Sequence, residues 1–366
     1  MAQTTVWGIG NIGEIQPIKD RKKILLVADS SFPYLSIRNE IEQSLGQYVK
    51  FSDFKANPLY EDVCKGVETF LQEGCEAIVA VGGGSCIDVA KCIKLFCRIP
   101  SKAQWLQGPW EDSGVPLSAI PTTAGTGSEA TRYAVIYANG VKQSITHTSI
   151  IPNYVLLEPK VLITLPLYQK KCTYLDALCQ GIESWWSVNS TDLSMQHSAY
   201  AVANLIDNME AYLVDNKQEA AQIIMNAANR AGQAINITQT TAPHAFSYKL
   251  TSLYQLPHGH AVAICLPHIW KYMIEHPEKC IDPRGKKHLE DTFNHIAEAM
   301  HCSSPSDAIL RFQNILERLE ITNPTAKNRL QELDILQHSV NPVRLKNNPI
   351  ELDLTAILNI YKTIVQ

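Results

Sequence analysis

The sequence predicts two domains, an α/β nucleotide-binding domain followed by an all-helical one. Its 366 residues suffice for two, since a domain usually holds roughly 100 to 200 residues. In the first half, β-branched apolar runs alternate with helical stretches, which is typical of a parallel sheet covered on both faces. After Leu165-Pro166 apolar residues recur instead at helical spacing, and the residue before a proline disfavours helical geometry. We therefore expect domains at residues 1–165 and 166–366.

The elements follow in a regular order. Continuous apolar runs predict strands at residues 23–29, 48–51, 77–81 and 116–120. Apolar residues three and four positions apart predict helices at residues 35–45 and 60–73, and in the second half at 195–213, 219–235 and after residue 349. Alternation of strand and helix in the first half favours a parallel sheet.

Composition excludes several classes of protein. Lys and Arg total 32 against 36 Asp and Glu, and this net charge of −4 offers no basic surface for nucleic acid. There is no signal-peptide pattern at the N-terminus and no uninterrupted run of about 18 apolar residues, so we expect a cytoplasmic protein that neither binds nor crosses a membrane. The ten cysteines lack C-x-x-C spacing, which favours reduced thiols over disulfides or a zinc ribbon.

Two loops rich in small residues are candidates for binding a dinucleotide. Gly82-Gly83-Gly84-Ser85 stands between a strand and a helix, where exposed N–H groups and the helix dipole stabilise a pyrophosphate. The loop at residues 121–129 adds threonines and glycines, and Asp29 ends a strand where a carboxylate can bind ribose and repel a 2′-phosphate. A tight connection and a solvated turn aspartate are the structural alternatives. The candidate cofactor residues are Asp29, Gly82, Gly83, Gly84, Ser85, Asp88, Thr122, Thr123 and Thr126.

The helical half supplies metal-ligand candidates. Asp176 and Gln180 lie four residues apart on one predicted helix face, and His244 and His258 follow later in the chain. One carboxylate and two imidazoles suffice to hold a divalent metal with an open position for substrate. Taken singly, however, a histidine is more often a core or surface residue. No H-E-x-x-H motif joins these residues, so their spacing alone does not establish a site.

Four motifs in register resemble the iron-containing alcohol dehydrogenase family across nearly the whole chain. They are Gly82-Gly83-Gly84-Ser85 with Asp88 and Lys91, residues 121–129, Asp176-Ala177-Leu178 with Glu183, and His258-Gly259 with Leu266-Pro267. The resemblance implies the dehydroquinate synthase-like fold, a Rossmann-like dinucleotide-binding domain plus an all-α domain. It also implies an NAD(P)-dependent, metal-assisted interconversion of alcohols with aldehydes or ketones.

Individual site residues follow from the same resemblance. It implies that Gly83, Gly84, Ser85, Thr122 and Thr123 line the cofactor, with NAD(H) favoured over NADP(H) by Asp29. It further implies that Asp176, His244 and His258 bind one divalent metal, Fe²⁺ or Zn²⁺, with Gln180 nearby. A homodimer is compatible with it.

The chain departs from the family pattern at two positions and adds cations at others. Gln180 and Tyr248 stand where the family usually has histidines, and Tyr248 either donates a proton or shapes the pocket. Lys249, Arg132 and His260 are additional cationic candidates, with His260 also a candidate for proton delivery. An anionic substrate needs such charge-assisted donors. The structural alternative is that Lys249 and Arg132 are solvated or pair with acids such as Glu129 or Glu183.

A further resemblance, to the phosphonoacetaldehyde reductase branch of the family, is carried by residues 247–254 leading to Pro257-His258-Gly259-His260, with Ser339-Val340-Asn341-Pro342 and Arg344-Leu345 near the end. The branch implies reduction of phosphonoacetaldehyde to 2-hydroxyethylphosphonate, with Arg132 and Lys249 holding the phosphonate. Three alternatives stay open at this point. They are a reductase of another small aldehyde, neutral or carboxylated, a cyclising lyase that uses NAD catalytically, and a non-catalytic relative.

Overall fold

The computed structural model describes residues 3–20 and 22–366, except for the side chains of Ala103 and Val343. The chain forms two compact units, Met1–Leu165 with Asn216–Asn229, and Pro166–Asp215 with Arg230–Gln366. The expected break after Leu165 coincides with the end of the first unit's main segment. Residues 216–229, expected in the helical domain, group instead with the first unit. A single helix, Gln218–Thr238, thus spans the division between the two units.

The first unit is built on a parallel sheet. Its six strands have the order β1-β8-β5-β4-β2-β3, and all neighbours run parallel. The strands of the described chain are β1 (Thr4–Trp7), β2 (Ile24–Ala28), β3 (Tyr48–Phe51), β4 (Ala77–Gly82), β5 (Leu117–Pro121), β6 (Tyr133–Ala138), β7 (Val141–Thr146) and β8 (Tyr154–Leu157). Every residue of β2, β4 and β5 is buried, as the continuous apolar runs predicted. The sequence analysis did not predict β1 or β8.

Helices of the first unit follow the expected alternation. They are α1 (Gln16–Lys19), α2 (Arg38–Leu45), α3 (Tyr60–Gln72), α4 (Gly84–Phe96) and α5 (Lys160–Ile163). Helix α4 starts directly after β4, because the backbone turns at Gly82 and Gly83. The residues of α4 from Val89 to Phe96 are buried without interruption, so this helix lies in the core of the unit and its N-terminus is held rigidly.

Strands β6 and β7 form an antiparallel hairpin that the sequence analysis missed. Buried and partly exposed residues alternate along β6, unlike the continuous runs of the parallel strands. The turn is Asn139-Gly140, and both residues have positive φ angles, 50° and 74°. Asn-Gly between two strands is a strong hairpin signal, because both central positions of a type I′ turn need positive φ.

Among its described residues the second unit contains helices and connecting loops but no strand, as predicted. Its helices are α6 (Leu167–Trp186), α7 (Asp192–Leu213), the end of α8 (Gln218–Thr238), α9 (Ala242–Tyr254), α10 (His258–Glu275), α11 (Lys286–Ala299), α12 (Pro305–Arg318), α13 (Arg329–Ser339), α14 (Pro342–Leu345) and α15 (Leu354–Ile364). Helix α6 is buried from Cys172 to Trp186 and packs against α7 and α10. Polar residues along this stretch of α6 are therefore buried as well, and each requires a partner.

Two further expectations concern the cysteines and the membrane. All ten cysteines carry free thiols, as predicted. Within residues 3–20 and 22–366, no helix combines the length and apolarity needed to span a bilayer.

Candidate active site

The two candidate cofactor loops lie together at the carboxyl end of the parallel sheet. Gly82 of β4 pairs in register with Pro121 of β5, and the backbone N–H of Thr122 donates to the Gly82 carbonyl at 3.1 Å. Ligands of open α/β sheets bind outside this end of the strands. The structure therefore brings the glycine turn and the threonine loop into contact, although about forty residues separate them in sequence.

Close approach explains why glycines occupy this turn. A Cβ on Gly82 would lie 2.6 Å from Asp29 Oδ2, and one on Gly84 would lie 2.8 Å from Thr126 Oγ1. A Cβ on Gly83 would make only ordinary contact with Thr123, at 3.5 Å. The turn thus leads into the N-terminus of α4 with partly exposed backbone, where N–H groups and the helix dipole favour an anion.

Asp29 touches this turn from the end of β2. Its Oδ2 accepts a hydrogen bond from Gly83 N at 3.3 Å, and its Oδ1 accepts from the N–H and hydroxyl of Ser31 at 2.9 and 2.5 Å. The carboxylate is partly exposed. It stands at the strand end where the sequence analysis placed a ribose-binding acid. Ser85, at the other side of the turn, accepts a hydrogen bond from Asn57 N at 3.4 Å.

Asp88 uses both of its oxygens inside the protein. Oδ1 accepts from the Ser128 hydroxyl at 2.6 Å, and Oδ2 accepts from Val135 N at 3.0 Å. Burial raises the pKa of this carboxyl above its usual value, and nearby Lys91 and these hydrogen bonds offset only part of that rise. These contacts let Asp88 hold the segment after the threonine loop, and its contact with the cofactor stays a prediction.

Lys91, one turn further along α4, holds the same segment. Its ammonium is fully buried and donates to the carbonyl oxygens of Thr131 and Tyr133, at 2.8 and 2.7 Å, and to the Ser128 hydroxyl at 3.1 Å. Burial lowers its pKa to about 8, against the opposing effects of Asp88 and Glu129. Lys91 therefore holds the backbone on both sides of Arg132, and Asp88 holds Ser128 and Val135 nearby.

Arg132 is half-buried at the start of the hairpin. Its guanidinium lies 5.6 Å from the ring centre of Tyr133, and Nε donates to the Tyr133 hydroxyl at 3.2 Å. Glu129, one of the acids that could have paired with it, accepts instead from the Asn229 amide at 3.0 Å. Stacking on an aromatic ring is a common way to orient a guanidinium.

Three predicted metal ligands converge in the second unit. Asp176 of α6, His244 of α9 and His258 of α10 each place one ligand atom within 4.8 Å of the others. His244 Nε2 lies 3.4 Å and His258 Nε2 lies 4.0 Å from Asp176 Oδ1. Asp176 Oδ1 is buried, yet it accepts no hydrogen bond from the part of the chain that the structure describes. A buried carboxylate oxygen facing two imidazoles fits a divalent cation.

Gly259 allows this convergence. A Cβ at this position would lie 1.9 Å from the Cys172 carbonyl oxygen and 2.9 Å from the Asp176 Cβ. Only glycine lets the first turn of α10 approach α6 so closely. His258, at the first position of α10, is thereby brought beside Asp176.

Glu183 is a site residue whose position the sequence analysis noted without assigning a role. It lies seven residues after Asp176, two turns along the same face of α6, and its side chain is fully buried. Its Oε1 accepts a hydrogen bond from His244 Nδ1, and its Oε2 accepts from Thr241 N at 2.7 Å. Burial alone would lower the pKa of the His244 imidazole, but Glu183 and Asp176 outweigh it and raise that pKa to about 9. The spacing of Asp176, Gln180 and Glu183 on one helix face was the available signal.

Gln180 and Tyr248, the departures from the family pattern, both lie near the cluster. Gln180 is buried one turn after Asp176 on α6. Burial raises the pKa of Asp176, but the neighbouring side chains of His244, His258 and Gln180 lower it overall. Tyr248 is half-buried, and its ring lies nearly parallel to that of His258, at 12° with centroids 6.1 Å apart.

The contacts of His260 do not fit its expected role as a cation or as a proton donor. Its Nε2 donates to the Thr322 carbonyl at 2.8 Å, so its Nδ1 accepts from the Tyr168 hydroxyl at 2.8 Å. Burial lowers its pKa, which keeps the ring neutral at pH 7. The geometry assigns His260 to anchoring the first turn of α10.

Lys249 is half-buried directly after Tyr248. Glu183, a potential partner for Lys249, accepts hydrogen bonds from His244 and Thr241 instead.

Comparisons with known proteins agree with this arrangement. A family model described as iron-containing alcohol dehydrogenase matches residues 2–159, and one for the C-terminal domain of the Fe-containing alcohol dehydrogenase family matches residues 171–365. The phosphonoacetaldehyde reductase of Streptomyces viridochromogenes is 31% identical over 291 residues, which are 76% of this chain and 73% of the relative.

Solved structures show the same fold. An iron-containing alcohol dehydrogenase from Thermococcus thioreducens has a TM-score of 0.87 at 21% identity, covering 99% of this chain and 98% of its own. The sulfoacetaldehyde reductase of Bifidobacterium kashiwanohense, solved with NAD⁺, has a TM-score of 0.87 at 22% identity, covering 99% and 96%. The predicted fold class is thus confirmed. The chain belongs to the iron-containing alcohol dehydrogenase family and is a metal-dependent, NAD-linked oxidoreductase that interconverts alcohols and aldehydes.

Proposed function

We propose that this enzyme reduces phosphonoacetaldehyde to 2-hydroxyethylphosphonate with NADH. The observation that carries the reductase chemistry is the convergence of Asp176, His244 and His258 around a buried carboxylate oxygen. Two features support the phosphonate as substrate. They are the half-buried Lys249 beside Tyr248, and the 31% identity to a phosphonoacetaldehyde reductase.

The proposed cofactor contacts are those of the glycine turn and the threonine loop. Gly83, Gly84 and Ser85 would offer backbone and hydroxyl donors to the pyrophosphate at the N-terminus of α4. Gly82 supports this turn, and Thr122, Thr123 and Thr126 are proposed as its partners on the facing loop. Asp29 would bind the adenosine ribose and repel a 2′-phosphate, which favours NADH over NADPH.

The proposed metal is Fe²⁺ or Zn²⁺, held by Asp176, His244 and His258. When bound, the ion supplies a Lewis acid that stabilises the negative charge developing on the carbonyl oxygen during hydride transfer. Asp176 contributes the charged ligand atom, and His244 is oriented by Glu183. Gln180 is proposed to hold the Asp176 carboxylate in place, since a neutral amide is a weaker ligand than an imidazole.

Proton delivery to the product alcohol is assigned to Tyr248 or to water. The Tyr248 ring lies nearly parallel to the His258 imidazole, with ring centroids 6.1 Å apart, which supports a phenol group beside the proposed ligands. His260 is not retained as an alternative donor, because both of its ring nitrogens are engaged by Tyr168 and Thr322.

Binding of the phosphonate group is assigned to two cationic side chains. Lys249 adjoins Tyr248 in α9, and Arg132 is oriented by Tyr133 and by the backbone that Lys91 holds. A phosphonate dianion needs charge-assisted donors, which an ammonium and a guanidinium can supply. Each assignment is tested by itself.

A steady-state assay of NADH oxidation tests this function. It uses the full-length protein loaded with Fe²⁺ or Zn²⁺, and compares phosphonoacetaldehyde with propanal and succinate semialdehyde. We expect a kcat/KM about a hundredfold higher for phosphonoacetaldehyde, which corresponds to about 2.7 kcal/mol of transition-state discrimination. Equal values for the three aldehydes would leave a general aldehyde reductase and remove the phosphonate. Product formation without net NADH oxidation would identify a lyase, and absence of any turnover a non-catalytic relative.

Matched variants test the anion-binding residues. Lys249→Ala and Arg132→Ala should raise KM for phosphonoacetaldehyde by about tenfold or more, equivalent to roughly 1.4 kcal/mol, and leave KM for propanal nearly unchanged. Lys271→Ala, which removes an exposed lysine of α10 paired with Glu275, is the control. Equal effects of Lys249→Ala on both substrates would remove Lys249 from the phosphonate site.

A further inference from the structure

The Glu183 carboxylate joins two of the helices that carry the metal ligands. Its side chain is fully buried on α6, in the same helix as Asp176. Oε2 accepts from both the N–H and the hydroxyl of Thr241, at 2.7 and 2.9 Å, and Thr241 is the residue before the first turn of α9. Oε1 accepts from His244 Nδ1 on that first turn. One carboxylate therefore fixes both the start of α9 and the imidazole that α9 carries.

A fourth residue fixes the direction of these hydrogen bonds. Trp186, in the last turn of α6, donates from Nε1 to Thr241 Oγ1 at 2.9 Å. An indole N–H can only donate, so the Thr241 oxygen accepts from Trp186 and its own proton points to Glu183. The carboxylate thus receives three donors in a fixed geometry and has no freedom to turn away from His244.

This arrangement selects the form of His244 that can bind a metal. Because Nδ1 carries a proton that it donates to Glu183, the neutral ring presents the lone pair of Nε2, and Nε2 is the atom that faces Asp176 Oδ1 at 3.4 Å. A hydrogen bond from the distal nitrogen of a ligating histidine to a carboxylate sets the tautomer and makes the ring a stronger ligand.

Charge gives a second reason for a carboxylate at this place. Asp176 supplies one negative charge directly, and Glu183 supplies another through His244, so the two match a divalent cation. Neither Gln180 nor the neutral imidazole that the family usually has there contributes charge.

We propose that Glu183 is a positioning residue of the metal site, which holds His244 in the tautomer that ligates through Nε2. This inference rests on the proposed metal-dependent function. Glu183→Gln tests it sharply, because an amide NH₂ turned toward His244 would favour the tautomer protonated at Nε2, which cannot ligate. An amide turned the other way would oppose the two donors of Thr241.

The test measures metal binding directly. Zn²⁺ is titrated into the metal-free full-length protein in competition with a chromophoric chelator, and Co²⁺ is added separately to record its visible spectrum. We expect Glu183→Gln to weaken Zn²⁺ binding about 10- to 100-fold and to change the Co²⁺ spectrum. Asp282→Asn is the matched control. It neutralises another buried acid of the same unit, one that pairs with Arg284, and should leave Zn²⁺ affinity unchanged even if the fold is less stable.

Each outcome decides a different point. Wild-type affinity and an unchanged Co²⁺ spectrum in Glu183→Gln would overturn the role of Glu183 and leave the proposed function standing. No Zn²⁺ binding by the wild-type protein would remove the metal site and both proposals. If Glu183→Gln does not fold, Thr241→Val is compared with Thr241→Ser. The valine variant lacks one donor to the carboxylate and should bind Zn²⁺ more weakly than the serine variant, and equal affinities would overturn the inference.

Discussion

The Cα of Gly259 lies so close to the carbonyl of Cys172 that a Cβ added to this glycine would stand 1.9 Å from the carbonyl oxygen. This contact is between the first turn of α10 and the backbone of α6. Its functional consequence is the placement of His258, the residue before Gly259, at 4.0 Å from Asp176. The spacing between two helices thus determines whether His258 lies beside Asp176 in the candidate metal site.

Gly259→Ala should therefore loosen the metal site. The added methyl group forces α10 away from α6, because its nearest neighbour is backbone that cannot rotate aside. We expect destabilisation of about 1–3 kcal/mol and at least about tenfold weaker Zn²⁺ binding, measured by denaturant unfolding and by chelator competition. Gly13→Ala is the control, because a Cβ there meets nothing within 4 Å. Unchanged Zn²⁺ affinity in Gly259→Ala would contradict this account.

Gly83→Ala should separate cofactor binding from folding. A Cβ at Gly83 makes only an ordinary 3.5 Å contact with Thr123, so we expect the melting temperature to change little. The same methyl group would stand where the pyrophosphate approaches the backbone, and NADH should bind about tenfold more weakly, a loss of roughly 1.4 kcal/mol. Fluorescence titration with NADH measures this, with Gly10→Ala as control. Wild-type affinity for NADH would place the pyrophosphate elsewhere.

Asp29→Asn should relax the choice between NADH and NADPH. The substitution keeps the shape of the side chain beside Gly83 and removes the charge that would repel a 2′-phosphate. We expect kcat/KM with NADPH to rise about tenfold relative to NADH, or roughly 1.4 kcal/mol. Asp53→Asn, at an exposed aspartate after β3, should not change the ratio. A ratio unchanged in Asp29→Asn would show that another residue selects the cofactor.

Lys91 should make stability depend on pH in the alkaline range. Burial lowers its pKa to about 8 in the folded protein, whereas an unfolded lysine titrates near about 10.4. Between these values the unfolded chain binds a proton that the folded protein has released, so the free energy of unfolding rises with pH. We expect the difference between wild type and Lys91→Met to grow by about 2 kcal/mol from pH 8 to 10. Urea unfolding across this window measures it.

The control for this titration is an exposed lysine. Lys55→Met removes a side chain that is exposed after β3, and its difference from wild type should stay flat over the same pH range. A flat difference for Lys91→Met as well would show that Lys91 keeps its proton in the folded protein, held by Asp88 and Glu129 against the cost of burial.

Metal removal should abolish activity reversibly. The three proposed ligands lie on α6, α9 and α10, and α10 packs against both of the other helices, so the chelated protein should remain folded by circular dichroism and regain activity with Fe²⁺ or Zn²⁺. Asp176→Asn removes the charged ligand atom and should show less than about 1% of wild-type activity even with added metal, a loss of roughly 2.7 kcal/mol or more. Full activity of this variant would exclude Asp176 as a ligand.

Much of the fold could be predicted from local pattern. Strands β2, β4 and β5 are buried on both faces, and their continuous apolar runs showed this directly. Strand β1 has only four residues, two of them exposed, so it carries no such run and was missed. The hairpin of β6 and β7 was missed because its apolar residues alternate, although Asn139-Gly140 marks its turn.

The residue types of the site could be predicted from the sequence better than the role of each residue. Asp88 and His260 both lie in motifs that predicted a role at the site. In the structure, Asp88 accepts hydrogen bonds from Ser128 and Val135, and His260 forms hydrogen bonds with Tyr168 and Thr322. Partners of this kind lie far away in sequence, so the motif alone does not reveal them. Glu183 acquires its role in the same way, through His244, which follows it by 61 residues.

The sequence by itself determined three things, which are the two kinds of structural unit, the glycine turn before α4, and the residue types of the candidate metal site. These follow from local periodicity, backbone freedom and side-chain chemistry, all of which act over a few residues. Only the tertiary structure decided which polar groups are hydrogen-bonded within the protein and which remain available to a ligand. Side chains that are distant in sequence meet only where helices pack closely, as at Gly259 and Cys172. A shift of a few tenths of an ångström decides whether a hydrogen bond forms between them.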